Sequence, residues 1–296
     1  MDPSSRPRRS ALYVPASNPR AVEKARSLAC DVVILDLEDA VLPEAKITAR
    51  QAAVEALRAG GFGHRELVVR VNALETHWGA DDLAAIAACA PDAILAPKAR
   101  GAKDVITYDR AIAGAGGRTG LWVMIETVQA VLALSEVAAT AQETRLAAMV
   151  MGVNDLAKEM RARQTPDRAP FHFALAKTVT AARANGLAAL DGVHNEIDDL
   201  EALENVCRQG ADFGFDGKSL IHPSHLAICN RVFAPAPDDL VRARAVIAAF
   251  AAPENLGKGA LRVNGRLAEV LHRDEALKLV RLAEAIAALE AAPANR

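Results

Sequence analysis

The stretch VVILDL at residues 32–37, followed by AKITARQAAVEALRA at 45–59 and LVVRVN at 67–72, decides the fold. The first run is apolar at successive positions rather than alternating, so it predicts a strand covered on both faces, as in a parallel sheet flanked by helices. The middle run has the spacing of a helix, and the third repeats the first. The same unit recurs outward in both directions. SALYVP (10–15) precedes it; AILAPK (93–98), LWVMIE (121–126), RLAAMVMG (145–152), LAALDG (187–192) and FGFDGKSL (213–220) follow. Helical stretches such as PRAVEKARSLA (19–29) and FALAKTVTAARANG (173–186) lie between, the latter stopped by Asn185-Gly186. Eight such units predict an α/β fold of the TIM-barrel, (β/α)8, type. An open doubly wound sheet fits less well, because the first turn lacks the GxGxxG of a dinucleotide-binding sheet.

Beyond the eighth strand, Ala234-Pro-Ala-Pro237 breaks the chain. A helix is expected at about 238–251, then a glycine-rich turn, ENLGKGALRVNGR, then a last helix at about 273–291. The expected organisation is a barrel catalytic domain over 1–235 and a C-terminal helical extension, or lid, over 236–296. So short a tail cannot bury a core of its own.

The 296 residues are 51% hydrophobic and 24% charged with a net charge of −2, which excludes the basic excess of a nucleic-acid or membrane-surface binder. The opening MDPSSRPRRS has no signal-peptide apolar core, and no apolar run approaches the ~20 residues of a membrane span. A cytoplasmic location is expected. Cys30, Cys89, Cys207 and Cys229 are scattered without metal or redox spacing and read as small apolar groups.

Barrel enzymes carry their chemistry at the C-terminal strand ends. Read there, the chain offers Asp36, Glu38 and Asp39, then Arg70 and Asn72, Lys98, Glu126, Asn154 and Asp155, Asp191 and His194, and Asp216 and Lys218. Glu126 and Asp155 come from consecutive strand ends, so both carboxylates can face one point ~4–6 Å away. Oxygen donors without clustered His or Cys favour Mg2+ over zinc. Asp155 reads alternatively as a helix cap. Arg70, in an apolar strand, can grip a substrate carboxylate with two prongs or form an ion pair with Glu38 or Asp39. Lys98 stays open between a reactive amine and a barrel salt bridge.

In order along the chain, RRSALYVPASNPRAVEKA, VVILDLEDAV, VVRVN, LAPKA, MIET, MGVNDLAKEM, QTPDRAP, ALDGVHNEIDD and GFDGKSLIHPSH resemble the citrate lyase β-subunit-like, or HpcH/HpaI aldolase, family that includes malyl-CoA lyases. The resemblance covers residues 8–235. It implies a Mg2+-dependent lyase that cleaves or forms a 3-hydroxyacyl-CoA thioester, releasing a 2-oxo acid and acetyl-CoA. It implies Glu126 and Asp155 as metal ligands and Arg70 as the binder of the oxo-acid carboxylate. Glu38 and Asp39 would orient waters on the metal, and Arg20 would meet coenzyme A. Family members that use CoA carry a Gly–x–x–x–Asp stretch that brings an aspartate over a neighbouring subunit's barrel. Here GRLAEVLHRDEA places Glu269 at that position and His272 three residues on, so Glu269 is either the catalytic acid–base group or a surface acid. A homo-oligomer, a trimer or a dimer of trimers, follows from the same resemblance. Two alternatives share the metal site: an aldolase of free 2-oxo acids, and a citrate lyase β-subunit acting on citryl-acyl-carrier protein.

Overall fold

The computed structural model describes residues 6–116 and 118–291 and divides them into two compact units. Arg8–Phe233 forms one, and residues 6–7 with 234–291 form the other. The outer ends of the two expected segments, residues 1–5 and 292–296, lie outside the described residues. Among the described residues no helix is long and apolar enough to cross a membrane.

Eight parallel strands close the first unit into a barrel: β1 Ser10–Pro15, β2 Val32–Asp36, β3 Glu66–Arg70, β4 Ala93–Ala96, β5 Gly120–Ile125, β6 Leu146–Met151, β7 Ala188–Asp191 and β8 Gly217–Leu220. β1 pairs with β2 on one side and β8 on the other, which leaves no free edge. Strands β1 to β7 start within one residue of expectation. β8 starts four residues late, at 217 instead of 213, because the preceding helix runs on to Phe213 and stops at Gly214, whose φ of 93° only glycine adopts cheaply.

Side chains alternate in and out along each strand. Ala11, Val32, Ile34, Val68, Leu95, Trp122 and Met124 fill the interior, while Val33, Leu35, Val69, Ile94 and Val123 face the helices. The N-terminal mouth is closed by charge. Arg8 forks onto Glu66 at 2.6 and 2.8 Å and lies 5.2 Å over Trp122, and Arg9 forks onto Asp31. Inward-facing positions at the opposite end are therefore the ones free to do chemistry.

In the second unit, helix Pro237–Ala251 packs against helix Val270–Ala291. The stretch read as a glycine-rich turn contains a two-stranded hairpin, β9 Ala260–Val263 and β10 Arg266–Glu269. Asn264 and Gly265, at φ 50° and 80°, turn it. An Asn-Gly pair between short strands is a strong hairpin signal, and the expected helix start at 273 moves back to Val270 once it is read.

Candidate active site

The alternation that puts Val32 and Ile34 inside the barrel also turns Asp36 inward at the end of β2, and the partner strand places Arg70 beside it in register. Arg70 Nε and Nη2 donate to the two Asp36 oxygens at 2.7 Å each. Asp36 also accepts the backbone N–H groups of Glu38 and Ala40, which folds the loop after β2 back over the mouth. Lys46 Nζ clamps that loop from behind through the carbonyls of Leu37 and Glu38. The third guanidinium nitrogen, Nη1, lies 2.8 Å from Glu38 Oε2 and donates to Asp39 Oδ2 at 3.1 Å. Below the guanidinium, the Tyr13 ring lies 4.6 Å away, and its hydroxyl donates to Met124 Sδ. Asp36 and Tyr13 thus join the site. Asp36 stood among the strand-end acids of the sequence, but nothing there set it apart as the buried partner of Arg70.

Glu126, next after β5, is 1% exposed. Its Oε1 accepts the Lys98 backbone N–H at 2.7 Å, whereas Oε2 is buried with no hydrogen-bond partner among the described residues. Gly152 explains how the group fits: a Cβ there would stand 2.6 Å from that same Oε2. Asp155 lies in the first turn of helix Val153–Met160, where the helix dipole favours an acid. Gly152 holds the cap position, so Asp155 does not cap the helix; its Oδ2 meets Lys98 Nζ at 2.5 Å. The same ammonium is 3.6 Å from Glu126 Oε1 and 3.8 Å from Glu38 Oε1.

Burial disfavours the charged form of these acids. It pushes Glu38 up to about 8, with Glu126 and Asp39 adding repulsion against the pull of Arg70. Burial likewise lifts Glu126 to about 7, opposed by Lys98 and Arg70 and reinforced by Asp155. Asp36 is as deeply buried, yet its two-pronged bond to Arg70 holds it below the usual carboxylate range. Glu38 Oε2, although close to Arg70, is off the hydrogen-bonding direction and, like Glu126 Oε2, is left without a hydrogen-bond partner among the described residues. Buried oxygens with unspent lone pairs and an excess of acid suit an oxygen-ligated divalent cation.

Seven sequence-named residues therefore meet at the mouth: Asp36, Glu38, Arg70, Lys98, Glu126 and Asp155, with the half-exposed Asp39 at the rim. Arg20 lies elsewhere, on the exposed face of helix Pro19–Ala25, lining a surface cavity of about 620 Å3 with Glu23, Lys24, Arg26, Ser27 and Gly61. Glu269 ends β10 in the second unit, exposed, and its backbone N–H donates to His272 Nδ1 at 2.9 Å. Three strand-end charges do not reach the mouth. Leu190 points inward, so Asp191 points outward, where it binds Arg168 at 2.8 Å and Lys218 at 2.9 Å. Asp216 precedes β8 and pairs with Arg183 at the opposite end.

A (β/α)8 barrel with carboxylates and an arginine gathered at the C-terminal strand ends is the framework of a barrel enzyme of the cation-assisted kind. The HpcH/HpaI aldolase/citrate lyase profile matches residues 9–223, and the chain belongs to that family. It is similar to a (3S)-malyl-CoA thioesterase of Cereibacter sphaeroides, 47% identical over 285 residues that span 96% of this chain and 98% of the relative. An L-malyl-CoA/β-methylmalyl-CoA lyase of the same organism is 35% identical over 312 aligned positions, covering 97% of this chain and 98% of that one. Among solved structures, the protein CitE of Mycobacterium tuberculosis in complex with magnesium, acetoacetate and coenzyme A superposes with a TM-score of 0.76 at 30% identity, over 95% of this chain and 99% of that chain.

Proposed function

We propose that the chain is a Mg2+-dependent carbon–carbon lyase acting on a short 3-hydroxyacyl-CoA thioester of the malyl-CoA type. The observation that carries this reading is the pairing of Glu126 and Asp155 round one cation position, beside an arginine that is already oriented by a buried acid. Glu126 and Asp155 would hold the metal. Once bound, magnesium would supply Lewis-acid polarisation of the substrate oxygens and neutralise negative charge as it develops.

The protein's own groups do the rest. Asp36 anchors two of the Arg70 nitrogens in the interior, so the mouth-facing Nη1 is the edge available to an oxo-acid carboxylate. Asp39 is the contact that such a carboxylate would replace, because its side chain is 59% exposed and its bond is the longest of the set. Glu38 lies 2.8 Å from Arg70 and 3.8 Å from Lys98 and is proposed to orient waters on the metal. In the cleavage direction a base takes the proton of the 3-hydroxyl, the C–C bond breaks, and its electrons pass to the thioester carbonyl as an enolate. An acid group then returns a proton to carbon, giving acetyl-CoA and the 2-oxo acid. Glu269 is the group proposed for this proton transfer, reaching the barrel of a neighbouring subunit in a trimer or dimer of trimers. Arg20, with Lys24 beside it, is proposed to meet the phosphates of coenzyme A.

A second reading is thioester hydrolysis, favoured by the 47% identical malyl-CoA thioesterase. One assay decides between them. Incubation with (3S)-malyl-CoA and Mg2+ should release glyoxylate, trapped as its phenylhydrazone, with no free thiol. Free CoA thiol in step with malate would instead assign the hydrolase. Neither product, across a panel of acyl-CoA esters, would refute both.

A further inference from the structure

Lys98 follows β4 in the left-handed conformation, φ 55°, which non-glycine residues seldom adopt. Its backbone N–H is spent on Glu126, and its side chain arches over the mouth to end among Asp155, Glu126 and Glu38, at 2.5, 3.6 and 3.8 Å. One ammonium thus serves three carboxylates. It touches the same two acids proposed to hold the metal, and a divalent ion at ~2.0–2.1 Å from the Asp155 carboxylate would repel an ammonium left there. A cavity of about 200 Å3 opens beside it, lined by Lys98 itself together with Glu75, Asp104, Thr107 and Tyr108.

We propose that Lys98 is the site's resident counter-cation: its ammonium occupies the position between Glu126 and Asp155 until a divalent ion takes it, and then turns into the adjacent cavity toward Glu75 and Asp104. The proposal rests on the reading of Glu126 and Asp155 as metal ligands. It accounts for five acids and two bases gathering at one mouth without the acids driving each other apart. The left-handed turn at Lys98 matters here, because it directs the side chain back toward the strand ends instead of out along the following loop. In its second position the ammonium flanks the site and adds to the positive field that an oxo acid meets on entry.

The test needs no turnover. Crystal structures in EDTA and in MgCl2, both without substrate, should show Lys98 Nζ on Asp155 in the first and in the Glu75–Asp104 cavity in the second. Calorimetric titration with Mg2+ should show Lys98→Met binding roughly tenfold more tightly or better, since a competing unit charge has gone. Lys98→Gln keeps a donor for Asp155 without the charge; it should shift affinity the same way and stands in if the methionine variant does not fold. Lys98 still bonded to Asp155 with Mg2+ on Glu126 and Asp155, or unchanged affinity in both variants, overturns the proposal alone. Wild type and variants all lacking Mg2+ at Glu126 and Asp155 would overturn the metal-site reading, and the proposal with it.

Discussion

At the mouth of the barrel Asp36, Glu38, Asp39, Glu126 and Asp155 surround Arg70 and Lys98; outside β7 and β8 a single acid, Asp191, is shared by Lys218 and Arg168. Both clusters are built round fully buried acids, Asp36 and Glu126 in the first and Asp191 in the second, but their accounts differ. Each Asp191 oxygen is bonded, to Arg168, Lys218 or the Gly192 N–H, and the cluster ties β7 and β8 to the Arg168 loop. Arg168 Nη2 alone lacks a hydrogen-bond partner among the described residues. At the mouth the surplus is acidic and sits on carboxylate oxygens that end without a bond. A closed cluster holds a fold together, whereas an open one is incomplete until something binds.

The widest predicted separation between the two comes from removing one charge in each. Asp191→Asn leaves Lys218 and Arg168 buried beside a neutral amide and should cost about 3–5 kcal/mol of stability at pH 7 in urea denaturation. Lys218 and Arg168 outweigh the burial of Asp191 and hold it below the usual carboxylate range, so its contribution is present above the unfolded value near ~3.9. That contribution fades as pH falls through the lower folded value, so the gap between wild type and variant should shrink on acidification. A loss under about 1 kcal/mol, or a gap that widens in acid, would break the comparison.

Glu126→Gln is the counterpart at the mouth. Turnover should fall at least about a hundredfold, the scale of losing a metal's transition-state contribution. Stability without metal should hold or rise. The folded value of about 7 lies above the unfolded ~4.3, so the carboxylate's contribution is lost as pH climbs between them. The variant's advantage in EDTA should therefore grow from pH 5 to pH 8, read as a Tm difference. A variant markedly less stable than wild type at pH 8 would place Glu126 with the closed clusters.

Arg70→Lys sharpens the contrast within the mouth. Lysine keeps the charge but not the fork onto Asp36, so pyruvate or oxaloacetate should bind about tenfold to a hundredfold more weakly, with Mg2+ affinity changed less. Calorimetry that shows the two ligands weakened equally would argue that Arg70 supports the mouth without meeting the oxo acid.

How much of this was legible in the sequence follows from the same contrast. Continuous apolar runs revealed the strands, because burial on both faces leaves a compositional mark that loops lack. The mark says little about side. One residue of parity decides that Glu126 faces the interior and Asp191 the helices, and both read alike as charges near a strand end. Asp216 reads as a mouth residue in the sequence because nothing in FGFDGKSL shows that Gly214 ends a helix first. Lys98 could not be placed, since the position of so long a side chain depends on a backbone turn that the sequence does not disclose. The hairpin of the second unit is legible in Asn264-Gly265 between two short runs, although the surrounding glycines on their own suggest a plain turn.

The second unit supplies the last test, because it carries the one proposed catalytic group outside the barrel. Glu269 is fixed at the end of β10, with its backbone N–H on His272, and is one methylene longer than the aspartate the family resemblance leads one to expect. If it serves a neighbour's mouth, Glu269→Gln and Asp155→Ala should each be inactive alone and complement each other when subunits exchange. In a ring assembled at random from equal amounts, half the barrels keep an intact metal site and half of their neighbours keep an intact tail. About a quarter of the sites are then whole, so recovery should approach a quarter of wild-type activity. Exchange is checked independently, by mass spectrometry of rings built from one light and one heavy-isotope variant. Proven exchange without recovery would place the proton-transfer group in the barrel itself, as would full activity in Glu269→Gln. Glu38, which burial pushes up to about 8, would then be the first residue to replace.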